Sequence, residues 1–187
     1  MGITEMQANL ESKVLNYAIA LDIYETGDWH SSEPIYDEEF FVVLSPGHRL
    51  AEHDAIRRVD LASEVFLIPG TDMPVLNRKL DYALGMLPSY LNGTIYKDVW
   101  AVLDLVSAGR GIAIAGGHNR QTHPHLLFKP FADIAEPLTI PVSLIWRTEL
   151  EKFRSTSKHI AMLKKAVADI SRLPQVREAA LRHRIDS

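Results

Sequence analysis

The 187-residue chain contains no cysteine, no long hydrophobic run and no excess of positive charge. Without cysteine it forms neither disulfide bonds nor thiolate nucleophiles or metal ligands. No apolar run approaches the ~18–20 residues of a membrane-spanning helix, and the opening residues MGITEMQANLESK lack the apolar segment of a signal peptide. The formal net charge of −4 supplies no general attraction for nucleic acid. These absences predict a cytoplasmic protein without a membrane segment.

The composition that is present is that of an ordinary globular domain, with 47% hydrophobic and 24% charged residues. The clearest pattern lies in residues 97–117, where valine and leucine recur with the spacing of one helical face. Asp98 precedes them as a favoured N-cap residue, and Gly109 suits the left-handed position that ends a helix. The apolar run Ile112–Ala115 follows at once as a strand. This abrupt joint predicts a sheet with helices packed against it.

Hydrophobic periodicity and turn residues predict the other elements. Strands alternate with helices between Phe40 and Trp146, which favours an α/β architecture with a parallel or mixed sheet. Pro141 predicts an edge or a bulge near the start of the last strand. Helices are predicted at 1–13, 54–62, 75–84, 97–108, 156–173 and 176–184, strands at 14–23, 40–44, 65–68, 92–96, 111–115, 126–131 and 138–146, and polar loops at 25–34 and 118–125.

Four segments, taken in order, resemble the conserved blocks of one family. They are VLNYAIAL at 14–21, FFVVLSPGHRLAEHDAIRRVDLA at 40–62, LVSAGRGIAIAGG at 105–117 and VSLIWR at 142–147. Together they resemble the effector-binding domain of LysR-type transcriptional regulators, and the resemblance extends over residues 10–172. Three positions depart from the family pattern: Asn16 replaces the common aspartate, and Arg49 and Gly116 replace the usual prolines.

The resemblance implies an α/β fold of the type 2 periplasmic-binding-protein kind, with two lobes joined by crossover strands at 40–44 and 138–146. It divides the chain into a partial lobe I at 1–39, lobe II at 40–146, and a return to lobe I with C-terminal helices at 147–187. In the family a strand–helix–strand unit precedes the first matching block. Residues 1–13 are too few for such a unit, which needs about 30 residues. Lobe I is therefore predicted to be incomplete and the chain N-terminally truncated relative to the family.

The loop before the 75–84 helix is the first candidate binding site. Ligands of open α/β sheets bind beyond the carboxyl ends of strands, near helix N-termini. The resemblance implies that this loop and the start of the 97–108 helix line an effector cleft. The implied effector-binding residues are Gly70, Thr71, Met73, Pro74, Val75, Asp98 and Trp100. Two alternatives stay open: Thr71 or Asp72 simply caps the helix, and Trp100 is buried in the core.

Other chemical motifs favour structural interpretations. Gly109–Gly111 ends a helix rather than following a strand, so it does not match a phosphate-binding loop. The histidines of His118–His125 are predicted to lie in a solvated loop rather than to hold a metal, and Asp37–Glu39 is predicted to be a solvated strand entrance. The basic tail Arg177–Arg184 is predicted to be a surface helix. No GxSxG nucleophile motif is present, and we expect no catalytic residue, metal or cofactor.

The function that the resemblance implies is small-molecule sensing by a regulator. The effector, a carboxylate or an aromatic acid, would bind between the lobes and shift their angle within a homo-oligomer, a dimer or a tetramer. DNA would be contacted only through a winged helix-turn-helix that this sequence does not contain, and no membrane is involved. A solute-binding protein of the same fold is the alternative, although it normally requires export. A small enzyme ranks last, because no nucleophile, base and oxyanion donor can be named together.

Overall fold

The computed structural model describes residues 3–21, 29–69, 79–80, 84–85, 93–96 and 98–171. Within these ranges it contains three α-helices, seven strands and three short 3-10 helices. The helices are α1 (Ile3–Glu11), α2 (Val99–Ser107) and α3 (Arg154–Ser171), the strands are β1 (Tyr17–Leu21), β2 (His30–Leu44), β3 (Leu67–Pro69), β4 (Thr94–Tyr96), β5 (Ala113–Gly116), β6 (Leu127–Lys129) and β7 (Thr139–Arg147), and the 3-10 helices are Arg58–Leu61, Gly117–Gln121 and Thr148–Lys152.

Two long antiparallel strands, β2 and β7, form the centre of the larger sheet. Residues 30–39 of β2 pair with β7, and the Phe40 N–H donates to the Leu138 carbonyl at 2.8 Å. The sheet order is β1–β7–β2–β5, with β6 also paired to β2. The two runs expected to be crossover strands therefore lie on neighbouring strands. The division into lobes at residues 40 and 146 stays a prediction.

The second half of β2 is buried on both faces, as the sequence predicts. Its last residues pair with β5 and with β6, so Phe40–Leu44 lies inside the sheet. Phe40, Val42 and Leu44 pack on one side, and Phe41 and Val43 pack on the other. The run Phe40–Leu44 therefore separates two groups of buried side chains, which together form the larger core.

The first half of β2 corrects the sequence-based prediction. A polar loop was expected through Pro34, but β2 already begins at His30. Polar residues are compatible with this strand because alternate side chains reach solvent while β7 pairs with the backbone. Pro34, which has no N–H to donate, lies at a register irregularity between Pro34 and Tyr36. Pro141 immediately precedes Val142, the residue at which the pairing of β7 with β1 begins.

Strands β3, β4 and β5 run in the same direction. β3 pairs in parallel with β4, and Phe66 forms a parallel bridge with Ile112. The Leu67 N–H donates to the Ile112 carbonyl at 2.8 Å, which links β3 to the residue before β5. Because β5 and β6 are antiparallel to β2, the structure has the mixed α/β character that the sequence predicts.

Helix α2 has the two ends predicted from the sequence. The Asp98 carboxylate accepts a hydrogen bond from the Ala101 N–H at 2.9 Å and caps the N-terminus. At the other end Gly109 has a φ of 70°. Its N–H bonds to the Val106 carbonyl while the Arg110 N–H reaches back five residues into the last turn, which is a Schellman motif. Gly111 follows where a Cβ atom would lie 2.4 Å from the Val65 carbonyl oxygen.

The N-terminal residues pack on the other end of the large sheet. Met6 and Leu10 of α1 meet Ile145 of β7 in a small separate core, and the ring of Tyr17 lies 6.4 Å from that of His159 in α3. The predicted helices at 1–13 and 156–173 correspond to α1 and α3.

Two of the predicted helices lie mostly or wholly outside the described residues. Leu80 and Leu84 of the 75–84 helix are buried in the larger core, as their spacing predicts, but most of that helix is not described. The 176–184 helix and the basic tail Arg177–Arg184 also lie outside the described residues.

Candidate functional site

The candidate site is the edge of the sheet where β3, β4 and β5 end. Because these strands are parallel, their carboxyl ends at Pro69, Tyr96 and Gly116 face one side. After β4 the chain enters α2, and after β5 it enters the 3-10 helix Gly117–Gln121. Open α/β sheets bind their ligands at this edge.

The predicted loop site lies outside the described residues. It comprises Gly70, Thr71, Met73, Pro74 and Val75. The structure describes the preceding strand as far as Pro69, which is half-buried at the edge of β3. The effector role of the loop and the alternative that Thr71 or Asp72 caps a helix both stay predictions.

Asp98 and Trp100 are described and lie at the start of α2. One oxygen of Asp98 is engaged in the N-cap bond, and the side chain as a whole is exposed. Trp100 is 53% exposed, so the alternative that it is buried in the core is wrong. Its ring centroid lies 5.8 Å from that of His123. An exposed indole beside a capped helix start offers an apolar contact surface.

Glu38 provides a buried carboxylate near the end of β5. The residue is 6% exposed, and its Oε1 accepts the His118 N–H at 2.8 Å. The His118 Nδ1 lies 3.0 Å from the same oxygen, while the rest of that imidazole ring is exposed. The expectation of a solvated strand entrance is therefore wrong for Glu38, because residues eighty positions away in the chain surround its carboxylate.

Gly116 makes room for this carboxylate. A Cβ atom at position 116 would lie 2.8 Å from Glu38 Oε1 and 2.9 Å from His118 Nδ1. The backbone φ of −65° is one that proline adopts. The backbone would therefore accept the residue usual in the resembled family, but the Glu38 carboxylate would have to shift. The sequence contained one signal for this contact, the glycine at position 116 where the resembled family usually has proline. Nothing in the local pattern connected that glycine with Glu38.

Charged and aromatic groups surround the carboxyl-bearing part of β2. Burial raises the pKa of Glu39, an effect that the positive charge of Arg120 opposes and the negative charge of Glu38 reinforces. The Arg120 guanidinium lies 4.1 Å from the centre of the Phe41 ring, and burial lowers its pKa. Burial raises the pKa of Tyr36, and the negative charge of Glu38 raises it further. This set of groups can donate and accept hydrogen bonds at the sheet edge.

The rings of His123 and His125 lie 6.0 Å apart, centre to centre, but the two histidines have different polar partners. His125 Nε2 lies 2.8 Å from Ser107 Oγ, whereas His123 Nε2 is 3.6 Å from Asp104 Oδ1. His123 is buried, so the prediction of a solvated loop is wrong for this residue, which packs beside Trp100. In the described part of the chain, no group of three or more histidine, aspartate or glutamate side chains is placed to hold a metal ion.

A shallow pocket of about 260 Å³ lies at the opposite end of β2 and β7, and its lining includes Trp29, Lys13 and Arg147. The Arg147 guanidinium contacts Glu149 and donates to Asn16 Oδ1 at 2.8 Å. Asn16, the replacement for the family's common aspartate, thus accepts a hydrogen bond from an arginine already paired with Glu149. The charge of Arg147 is therefore compensated by Glu149 within the fold. The pocket lies away from the candidate site and contributes no residue to it.

Comparison with known proteins points to one family. The family model described as the LysR substrate binding domain matches residues 3–168. No match was found among curated proteins. Within the described ranges, none of the helices combines the length and hydrophobicity needed to cross a bilayer.

Several solved structures share the fold. A reduced form of OxyR from N. meningitidis has a TM-score of 0.67 and 21% identity, with 88% of this chain and 75% of that chain covered. The effector binding domain of QuiR in complex with shikimate has a TM-score of 0.65 and 19% identity, with 79% and 69% covered. The regulatory domain of MetR, a LysR family regulator from N. meningitidis, has a TM-score of 0.64 and 18% identity, with 90% and 77% covered.

Proposed function

The chain belongs to the LysR substrate-binding domain family, whose members are regulatory domains of transcriptional regulators and not enzymes, and we propose that it senses a small-molecule effector bound between its two lobes. The observation that carries this proposal is the common edge at which β3, β4 and β5 end, beside the crossover pair β2 and β7. A ligand at this edge would lie next to the strands that join the lobes, where a small displacement changes the lobe angle.

The effector class we propose is a carboxylate or an aromatic acid. The QuiR domain, which shares the fold, was solved with shikimate. In this chain the contacts would come from Gly70, Thr71, Met73, Pro74 and Val75, together with Asp98 and Trp100. The exposed indole of Trp100 suits the ring of an aromatic acid.

The regulator would act as a cytoplasmic homo-oligomer, a dimer or a tetramer. Effector binding would favour one lobe angle and thereby one arrangement of the subunits. DNA would be contacted through a winged helix-turn-helix outside this sequence. The net charge of −4 agrees with a chain that does not itself bind nucleic acid.

A thermal-shift titration with benzoate and shikimate tests the proposal. A ligand present at 100 times its Kd stabilises the folded state by about 2.7 kcal/mol, so at least one acid should raise the melting temperature in a concentration-dependent manner. Trp100→Ala should weaken the shift. Phe153→Ala is the matched control, because Phe153 is also an exposed aromatic residue but lies before α3.

Two results would contradict the proposal. A flat melting temperature across both acids would remove the effector class. An undiminished shift in Trp100→Ala would remove Trp100 from the contacts while leaving the class intact.

A further inference from the structure

Glu38 connects the crossover strand β2 with the edge of the sheet where β5 ends. On β2 it pairs with Ile140 of β7, and it comes shortly before Phe40, where the predicted lobe II begins. Its Oε1 accepts the His118 N–H at 2.8 Å and lies 3.0 Å from His118 Nδ1. The contact therefore crosses the predicted lobe boundary, with Glu38 in partial lobe I and His118 in lobe II.

The fold buries this contact and leaves room for it. Glu38 is 6% exposed, and a buried carboxylate is stable only where polar groups satisfy it. The backbone N–H and the ring nitrogen of His118 supply such groups. A Cβ atom at position 116 would lie 2.8 Å from Glu38 Oε1, so Gly116 keeps free the space that the carboxylate occupies.

The turn that contains His118 moves with the end of β5. His118 belongs to the 3-10 helix that directly follows β5. The buried Asn119 closes this turn, because its Nδ2 donates to the Gly116 carbonyl at 3.0 Å. Since Gly116 pairs with Phe40, the turn follows the lobe II part of β2. A change of the lobe angle would therefore pull His118 away from Glu38.

We propose that Glu38 is a positioning residue that holds the lobe angle of the effector-free chain through its hydrogen bond with His118. An effector bound where β3, β4 and β5 end would change the lobe angle against this contact. The inference rests on the proposed two-lobed sensor. It is measured without effector, so the failure of benzoate and shikimate to bind would count against the effector class and not against Glu38.

The distance between two spin labels tests the proposal. The chain has no cysteine, so two introduced cysteines carry the only labels. Val14→Cys marks the partial lobe I and Val59→Cys marks lobe II, at positions that are 71% and 67% exposed. Pulsed electron spin resonance of this labelled parent should give one main distance. Glu38→Ala should raise the population at other distances about tenfold, since it removes a hydrogen bond to a carboxylate.

Three further variants separate this contact from a general loss of structure. Glu38→Gln should keep the parent distribution, because the amide oxygen still accepts the His118 N–H. Gly116→Ala should broaden the distribution as Glu38→Ala does, because its Cβ would displace the carboxylate. Asp37→Ala is the matched control, since Asp37 is an exposed acid on the same strand, and it should change nothing.

Circular dichroism checks that each variant folds, and Gly116→Ala tests the same displacement if Glu38→Ala does not fold. An unchanged distance distribution in Glu38→Ala or in Gly116→Ala would overturn the proposal. Equal broadening in Asp37→Ala would do the same, as would a folded Glu38→Gln that broadens as much as Glu38→Ala.

Discussion

Within the described residues, the larger core and the N-terminal core differ greatly in size. The larger core occupies both faces of the β2–β5–β6 region and includes Phe66, Val42 and Leu103, all of them fully or almost fully buried. The N-terminal core contains Met6, Leu10 and Ile145, with half-buried residues such as Leu15 around them. The candidate site lies beside the larger core, and β1 lies beside the N-terminal core.

This difference implies an uneven distribution of stability. Burying a leucine, valine or phenylalanine side chain contributes about 1.5–3 kcal/mol. Among the described residues the larger core has more such side chains than the N-terminal core, so it should hold its strands more firmly. We expect the β2–β5 region to open only on global unfolding and α1 with β1 to open locally. A firmly held strand edge suits the proposed ligand site.

Removing Phe66 should give the largest effect. This side chain is 1% exposed and belongs to the larger core, and Phe→Ala changes in cores cost about 3–5 kcal/mol. Urea unfolding should show that loss for Phe66→Ala, whereas the neighbouring Val65→Ala, at a 58% exposed position, should change stability by less than about 0.5 kcal/mol. A loss below about 1 kcal/mol for Phe66→Ala would contradict the expected difference in stability between the two cores.

Leu10→Ala should produce a smaller and more local effect. Leu10 is fully buried, but half-buried side chains such as Leu15 and Trp29 pack on its cluster, so we expect a loss near the lower end of the range, about 2 kcal/mol. Amide exchange should accelerate in residues 3–21 and stay unchanged in α2 and β5. Val14→Ala, at an exposed position, is the control. Equal acceleration in α2 and β5 would show that the two cores unfold as one unit.

Gly116→Ala should cost about 1–3 kcal/mol, because its Cβ would displace the Glu38 carboxylate. Glu38→Ala should make the second change nearly neutral, since the obstructing side chain is gone. A double-mutant cycle measured by urea unfolding gives this coupling directly. Additive effects of the two changes would mean that the Glu38–Gly116 contact does not constrain this edge.

Glu39→Gln should change the free energy of unfolding least. It should increase that free energy, whereas the other substitutions decrease it. Burial raises the folded-state pKa of Glu39 above its ordinary value of 4.5, so the folded chain holds this proton more tightly than the unfolded chain, and stability falls as pH rises from below 4.5 through the folded pKa. Removing the charge should raise stability at pH 7 by a few tenths of a kcal/mol, since the group is partly exposed.

Urea unfolding at pH 5, 6 and 7 checks the Glu39 prediction. The gain in Glu39→Gln should grow as pH rises above 4.5 and level off once Glu39 is ionised in the folded chain. A variant that is less stable than the parent at pH 7 would show that the attraction to Arg120 outweighs the cost of burial.

Local signals explain what the sequence predicted correctly. The ends of α2 are set by Asp98 and Gly109, whose side chain and φ act within one turn, so a single sequence contains the required information. The buried run Phe40–Leu44 is likewise visible as continuous hydrophobicity. These elements place the sheet edge that forms the candidate site.

Long-range contacts explain what the sequence did not predict. Residues 30–34 resemble a loop and become a strand because β7 pairs with them. Glu38 resembles a solvated acid and becomes buried because His118 donates to it and Gly116 leaves space. Such pairings depend on tertiary structure, and no pattern within a ten-residue window contains them.

Amide chemical-shift mapping during titration with benzoate or shikimate tests the central claim most directly. If the effector binds where β3, β4 and β5 end, the largest shifts should fall on Asp98, Trp100, Gly117 and His118 and on the Gly70–Val75 loop. Shifts concentrated in α1 or α3, with these residues unchanged, would contradict the account.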